Sequence, residues 1–125
     1  MLLKIPKETE KFSWTKHAIE KMRFYGLSEQ KVKGVISRPQ RTETGVAPKT
    51  TAVMQRTGSK KRPTEIWVMY QIKSQNLNLK FQNPRFKTNK LKIISAWRYP
   101  GVSPVKEVPI PEDIRSEIQN PEVSL

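Results

Sequence analysis

The chain has 125 residues, with 24 Lys+Arg against 11 Asp+Glu, one His, no Cys, a formal net charge of +13 and a hydrophobic fraction of 35%. That length makes one domain with a modest core. The absence of cysteine excludes disulfides, thiolate metal sites and a thiol nucleophile, and a single histidine excludes any site built on two imidazoles. Carboxylates are too sparse and scattered for the oxygen-rich cage of a divalent-metal nuclease, and no cofactor is expected.

The charge is divided unevenly. Residues 1–99 carry 22 basic and 6 acidic side chains, whereas residues 100–125 carry 2 basic and 5 acidic. The positive field therefore belongs to the body of the chain, and a small body with such a field attracts polyanions, nucleic acid above all. The opening Met1-Leu2-Leu3-Lys4-Ile5-Pro6-Lys7 is too short an apolar run for a secretory signal. No stretch approaches the roughly 20 apolar residues of a spanning helix. The chain is thus expected to be soluble and cytoplasmic, with no membrane contact.

In chain order, residues 1–11 read as an irregular polar arm. Thr15 then caps a first helix, with Trp14 and Ile19 at the spacing of a hydrophobic staple. Ala18, Ile19, Met22 and Tyr25 form its apolar stripe, and Gly26 supplies a left-handed stop. Ser28 caps a second helix with Leu27 and Val32 as staple, Val32, Val35 and Ile36 as buried face, and Pro39 as terminator. Neither short helix is stable alone, so the pair must lie on an apolar surface.

The strands supply that surface. Thr50–Met54 is β-prone, with a start near Thr42 and a break at Pro48, and Thr57–Pro63 is a loop carrying Lys60-Lys61-Arg62. Glu65–Ile72 is the clearest strand, apolar on both faces around Trp67–Tyr70 and therefore central. Leu77, Leu79 and Phe81 alternate with polar residues as a further strand would, and Asn83–Asn89 is a turn with a basic tip. Leu91–Trp97 is the last strand. Beyond Pro100-Gly101 the chain is punctuated by proline until Pro111 and Glu112-Asp113 open a short helix with Ile114 and Ile118 on one side.

Two helices followed by strands define an α+β domain: an N-terminal helical hairpin packed on one face of a small, mainly antiparallel sheet, with a short C-terminal helix. The other face of the sheet is left for solvent or ligand. The corresponding boundaries are an arm at 1–11, the α+β domain at 12–99 and a proline-rich acidic tail at 100–125.

Three segments resemble known families. Phe12-Ser13-Trp14-Thr15-Lys16-His17-Ala18-Ile19-Glu20-Lys21-Met22 resembles the opening of the DUF4258 family, with its His-Ala pair on an amphipathic helix. Tyr25-Gly26-Leu27-Ser28-Glu29-Gln30-Lys31-Val32 resembles that family's entry to its second helix. Lys92-Ile93-Ile94-Ser95-Ala96 is similar to the last core strand of BrnT-type ribonuclease toxins. The resemblance covers about residues 12–98. It implies a RelE-like fold, a metal-independent endoribonuclease activity and an acidic antitoxin as partner. The BrnT-type strand continues Ser-Ala-Arg, but here Trp97 follows Ser95-Ala96 and the arginine comes at Arg98. A one-residue shift on a strand moves a side chain to the opposite face.

Cleavage of that kind uses the 2′-hydroxyl of RNA as nucleophile and needs a proton carrier and a phosphate clamp. His17 is the acid–base candidate, and Arg98 and Arg56 are candidate clamps, because a guanidinium fork matches phosphate oxygens. Tyr70 and Tyr99 can donate a proton or stack on a base. Ser95 reads as a small residue that permits close packing. The candidate binding surface comprises Lys60, Lys61 and Arg62 in one loop, Arg85, Lys87 and Lys90 in another, and Lys92, with Trp97 and Trp67 as stacking candidates. The expected partner is RNA, single-stranded or ribosome-associated. The alternatives are a non-catalytic nucleic-acid-binding module of the same fold, and a basic partner that docks an acidic protein.

Overall fold

A computed structural model describes residues 5–74 and 89–118. The elements in chain order are β1 (Phe12–Trp14), α1 (Lys16–Tyr25), α2 (Glu29–Ser37), β2 (Arg41–Thr44), β3 (Thr51–Gly58), β4 (Pro63–Ser74), β5 (Asn89–Pro100) and α3 (Glu112–Ile118). The architecture is α+β, with one five-stranded mixed sheet in the order β1-β5-β4-β3-β2 and three helices. Its first element is a strand, not a helix. Phe12, Ser13 and Trp14 run parallel to Leu91, Lys92 and Ile93 of β5. Three residues are too few to display a period, so β1 has no local signature in the sequence. The remaining pairs are antiparallel.

Local chemistry sets the helix ends. The Thr15 hydroxyl accepts the Ala18 amide at 3.0 Å, and the Ser28 hydroxyl accepts the Lys31 amide at 3.0 Å, each satisfying one orphan donor of a first turn. Gly26 stops α1 at φ 67° and ψ 38°, the left-handed cap that glycine adopts without a Cβ penalty. Ala18, Met22, Leu27, Val32 and Val35 are buried against Val53, Ile66, Val68, Ile93 and Ala96 of the sheet.

Ile93 and Ala96 reach this same helix-side core although they are three residues apart. A β-bulge makes that possible: Met69 pairs with Ser95 and Tyr70 with Ile93, so Ile94 is the extra residue on β5. Arg98, opposite Ile66, is returned by the bulge to the helix side of the sheet.

The other face is covered, contrary to the expectation that it is open. Ala52, Met54, Trp67, Met69, Ile94 and Trp97 bury against Ile114 of α3, with Val108 and Ile110 packed at their margin. Trp67 and Trp97 are register partners, with ring centroids 6.4 Å apart and planes at 11°. The segment 101–118 thus closes the second core. A sheet apolar on both faces demands two covers, and the helical pair supplies only one.

A buried polar network anchors the start of that segment. Glu65, 0% exposed, accepts hydrogen bonds from Trp67 Nε1 at 3.0 Å, from the Ser103 amide at 3.1 Å and from the Ser103 hydroxyl at 2.6 Å. Arg41 stands 3.7 Å from the same carboxylate. It also donates to the backbone carbonyls of Ser103, Pro104 and Glu107 and to the Glu43 carboxylate. Among the described residues no helix is long and apolar enough to cross a membrane.

Candidate functional site: a basic hairpin and a closed histidine

Among the described residues, the β3–β4 hairpin presents the densest group of uncompensated charge. Gly58 pairs with Pro63 and leaves Ser59-Lys60-Lys61-Arg62 as the connecting loop. Gly58 has φ 83°, and a Cβ there would collide with the Arg62 carbonyl oxygen, so the position requires glycine. The Ser59 hydroxyl accepts the Arg62 amide at 3.0 Å, which fixes the turn. Lys60, Lys61 and Arg62 are exposed at its tip.

Beside the tip lies an open groove of about 460 Å³, lined by Arg56, Ser59, Lys60 and Pro63 of the hairpin, by Gln40 and by Val102 of the tail. The Gln40 side-chain Oε1 accepts the Arg56 backbone amide at 2.7 Å and ties the residue before β2 to β3. The side chains of Arg56, Lys60, Lys61 and Arg62 make no ion pair and no hydrogen bond among the described residues. By contrast, Lys21, Lys33, Arg41 and Lys90 are all paired with carboxylates.

The three candidate catalytic residues are not brought together. Arg98 donates from Nε to the Tyr25 carbonyl at 2.7 Å and from Nη2 to the Gly26 carbonyl at 3.4 Å, so it closes the C-terminal end of α1. His17 sits at the other end of α1, eight residues or about 12 Å away along the axis. Arg56 lies opposite Glu65 on the tail side of the sheet, whereas Arg98 lies on the helix side, two strands or about 10 Å across. No single phosphate can touch all three in this arrangement.

His17 is 5% exposed and held at both ring nitrogens. Its Nδ1 is 2.6 Å from Glu117 of α3, and its Nε2 is 2.9 Å from the Ser95 hydroxyl. The carboxylate can only accept, so Nδ1 carries the proton, and in the neutral ring Nε2 accepts the proton of Ser95. Burial lowers the His17 pKa below the ordinary 6.5, outweighing the Glu117 carboxylate that pulls it upward. The sequence of contacts is that of a serine–histidine–acid relay. Ser95, however, is 0% exposed, so no substrate atom reaches its hydroxyl. The relay joins α1, β5 and α3, and it is mechanical in this closed form.

The same row continues along α1. Lys21 Nζ is 2.9 Å from Asp113 and 3.1 Å from Glu117, and the Tyr25 hydroxyl is 3.2 Å from Asp113. Desolvation and the Asp113 charge push the Tyr25 pKa up to about 12. Desolvation pulls Asp113 upward, but its bonds from Lys21 and Tyr25 prevail and hold it below the ordinary carboxylate value.

The remaining candidates are dispersed. Trp97 is 0% exposed and donates to the Pro109 carbonyl at 2.7 Å, and Trp67 is 0% exposed as well, so neither has a face open to a base. Lys90 is 3.6 Å from Glu8. Lys92 is 9% exposed, and burial together with Lys73 lowers its pKa. Arg85 and Lys87 lie outside the described residues, as do Leu77, Leu79 and Phe81 of the expected further strand. Tyr70 packs partly buried at the helix-side core and Tyr99 at the tail-side core.

Sequence reasoning missed Glu65, Ser103, Asp113 and Glu117. The signal for Glu65 was a lone acid in an otherwise apolar central strand, which can be buried only with partners. The signal for Asp113 and Glu117 was their four-residue spacing, which matches the spacing of His17 and Lys21.

No protein-family model, curated protein or solved structure matches this chain. The DUF4258 and BrnT resemblance therefore rests on the quoted residues alone.

Proposed function

We propose that this chain is a small nucleic-acid-binding protein whose ligand is RNA, and that it binds RNA without cutting it. The observation that carries the reading is the β3–β4 hairpin, which sets Arg56 and Lys60 in the lining of an open groove and Lys61 and Arg62 exposed at the adjacent tip, none of the four paired with a carboxylate among the described residues. Phosphates that replace counterions at such a tip supply affinity that needs no particular base sequence. RNA is preferred over DNA because the sequence resembles ribonuclease toxins. Cleavage is set aside because metal-free transesterification needs a proton carrier and a phosphate clamp at one phosphorus. His17, Arg98 and Arg56 point to three separate places instead.

The test is a salt titration of binding to a labelled single-stranded oligoribonucleotide, run beside an incubation of the same RNA in EDTA. Affinity that falls steeply with salt, with intact RNA at the end, is the expected result. A flat salt dependence would refute nucleic-acid binding and leave the docking of an acidic protein. Accumulation of 2′,3′-cyclic phosphate ends that stops in His17→Ala would refute the non-catalytic reading and restore the toxin-like enzyme.

A further inference from the structure

His17, Lys21 and Tyr25 recur every four residues and so form one straight row along α1. All three are occupied by carboxylates from a single short helix: Glu117 on His17 and Lys21, Asp113 on Lys21 and Tyr25. An imidazole N–H, an ammonium and a phenol are donors that also serve phosphate oxygens, and a carboxylate offers the same kind of acceptor. The carboxylates are therefore chemical stand-ins for a polyanion.

The apolar half of the closure is the buried Ile114, and its polar half faces solvent. α3 has seven residues, too few to be helical on its own, so it depends on the buried Ile114 and on these ion pairs. The Asp113 and Glu117 side chains are 37% and 40% exposed, which leaves their half of each pair open to salt and to competing anions. Around His17 the other charged groups are Glu20 and Lys21 of α1 itself, and β5 contributes only the neutral Ser95.

We propose that the His17–Lys21–Tyr25 row is a second phosphate-binding site for RNA, closed in cis by α3, with Asp113 and Glu117 where phosphate oxygens bind once the helix lifts. This inference rests on the nucleic-acid reading but not on the hairpin. RNA and α3 compete for the row, so the closed fraction lowers the affinity of the intact chain.

The experiment compares two full-length double variants by fluorescence anisotropy with a 5′-labelled oligoribonucleotide at fixed salt. Asp113→Asn with Glu117→Gln removes the competing charges while keeping Ile114. Glu107→Gln with Glu112→Gln removes two exposed carboxylates of the same segment that pair with nothing among the described residues, and it changes net charge equally. If α3 is closed about nine-tenths of the time, the first variant binds about tenfold more tightly than the second. Lys21→Gln added to the first variant abolishes the gain. The imidazole NMR signal, which is unique because the chain has one histidine, shifts on adding RNA to the first variant and stays fixed in the second. Equal gains in both variants, or a gain that survives Lys21→Gln, would overturn the proposal. If Asp113→Asn with Glu117→Gln fails to fold, Glu117→Gln alone carries the same comparison against Glu112→Gln. Tight binding by the open variant that is indifferent to the hairpin cations would refute the hairpin reading and leave this one standing. Binding by the intact chain that is unchanged in the open variant does the reverse.

Discussion

Glu65→Ala should be among the most destabilising single substitutions in this chain. It leaves Trp67 Nε1, the Ser103 amide and the Ser103 hydroxyl without their acceptor at a site where Glu65, Trp67 and Ser103 are all buried. It also takes a carboxylate from beside Arg41, whose other partners at Glu43 and the tail carbonyls remain. Breaking a buried pair by removing one partner costs about 3–5 kcal/mol, and the partners left to Arg41 place this case near the lower end, about 3 kcal/mol. For a domain of this size that corresponds to a fall in Tm of about 10–15 °C. The assay is thermal unfolding of wild type, Glu65→Ala, Ser103→Ala and the double variant. The double variant should cost less than the sum of the singles by at least about 1 kcal/mol, because both remove one network. A loss below about 1 kcal/mol for Glu65→Ala, or strict additivity with Ser103→Ala, would show that the network does not hold the tail to the sheet.

Other outcomes follow from the same geometry. The depressed His17 pKa means that its contribution to stability is complete above the unfolded value of about 6.5 and is lost as pH falls toward the folded value. Wild type should therefore lose Tm as pH falls below about 6.5 relative to His17→Gln, and parallel profiles would contradict the burial of that ring. Asp113 is depressed as well, so its contribution fades only below its ordinary 3.8, which separates the two effects in a pH series. Gly58→Ala forces a side chain to positive φ and against the Arg62 carbonyl, so it should cost about 1–3 kcal/mol by denaturant unfolding and weaken RNA binding together. Neutralising Arg56, Lys60, Lys61 and Arg62 to Gln should each reduce the slope of log affinity against log salt by about 0.7 on single-stranded RNA, and an unchanged slope would remove that residue from the contact surface.

Much of the helix-side layer was legible because its signals are local. Thr15, Ser28, Gly26 and Pro39 act through bonds and torsions within a few residues, and the structure places helix boundaries where those residues put them. The centrality of β4 was legible from Ile66-Trp67-Val68-Met69, since a strand apolar on both faces must be covered on both. The loop Ser59–Arg62 could be read as a turn, but its rigidity rests on a carbonyl approaching Gly58 from four residues away.

Local chemistry is enough for the helices, the central strands and the sign of the field, because capping, periodicity and charge count need no distant neighbour, whereas β1 exists only through its pairing with β5. Tertiary structure alone decided where the tail goes and what becomes of the site. Glu65 finds Ser103 across 38 residues and His17 finds Ser95 across 78, contacts whose partners no local pattern selects. By burying Trp97, closing His17 under α3 and setting Val102 beside Arg56, those long-range contacts separate the residues that sequence reasoning had joined. The physical reason is that a sheet with two apolar faces must recruit a second cover from wherever the chain can supply one, and here the segment at hand is also the acidic one.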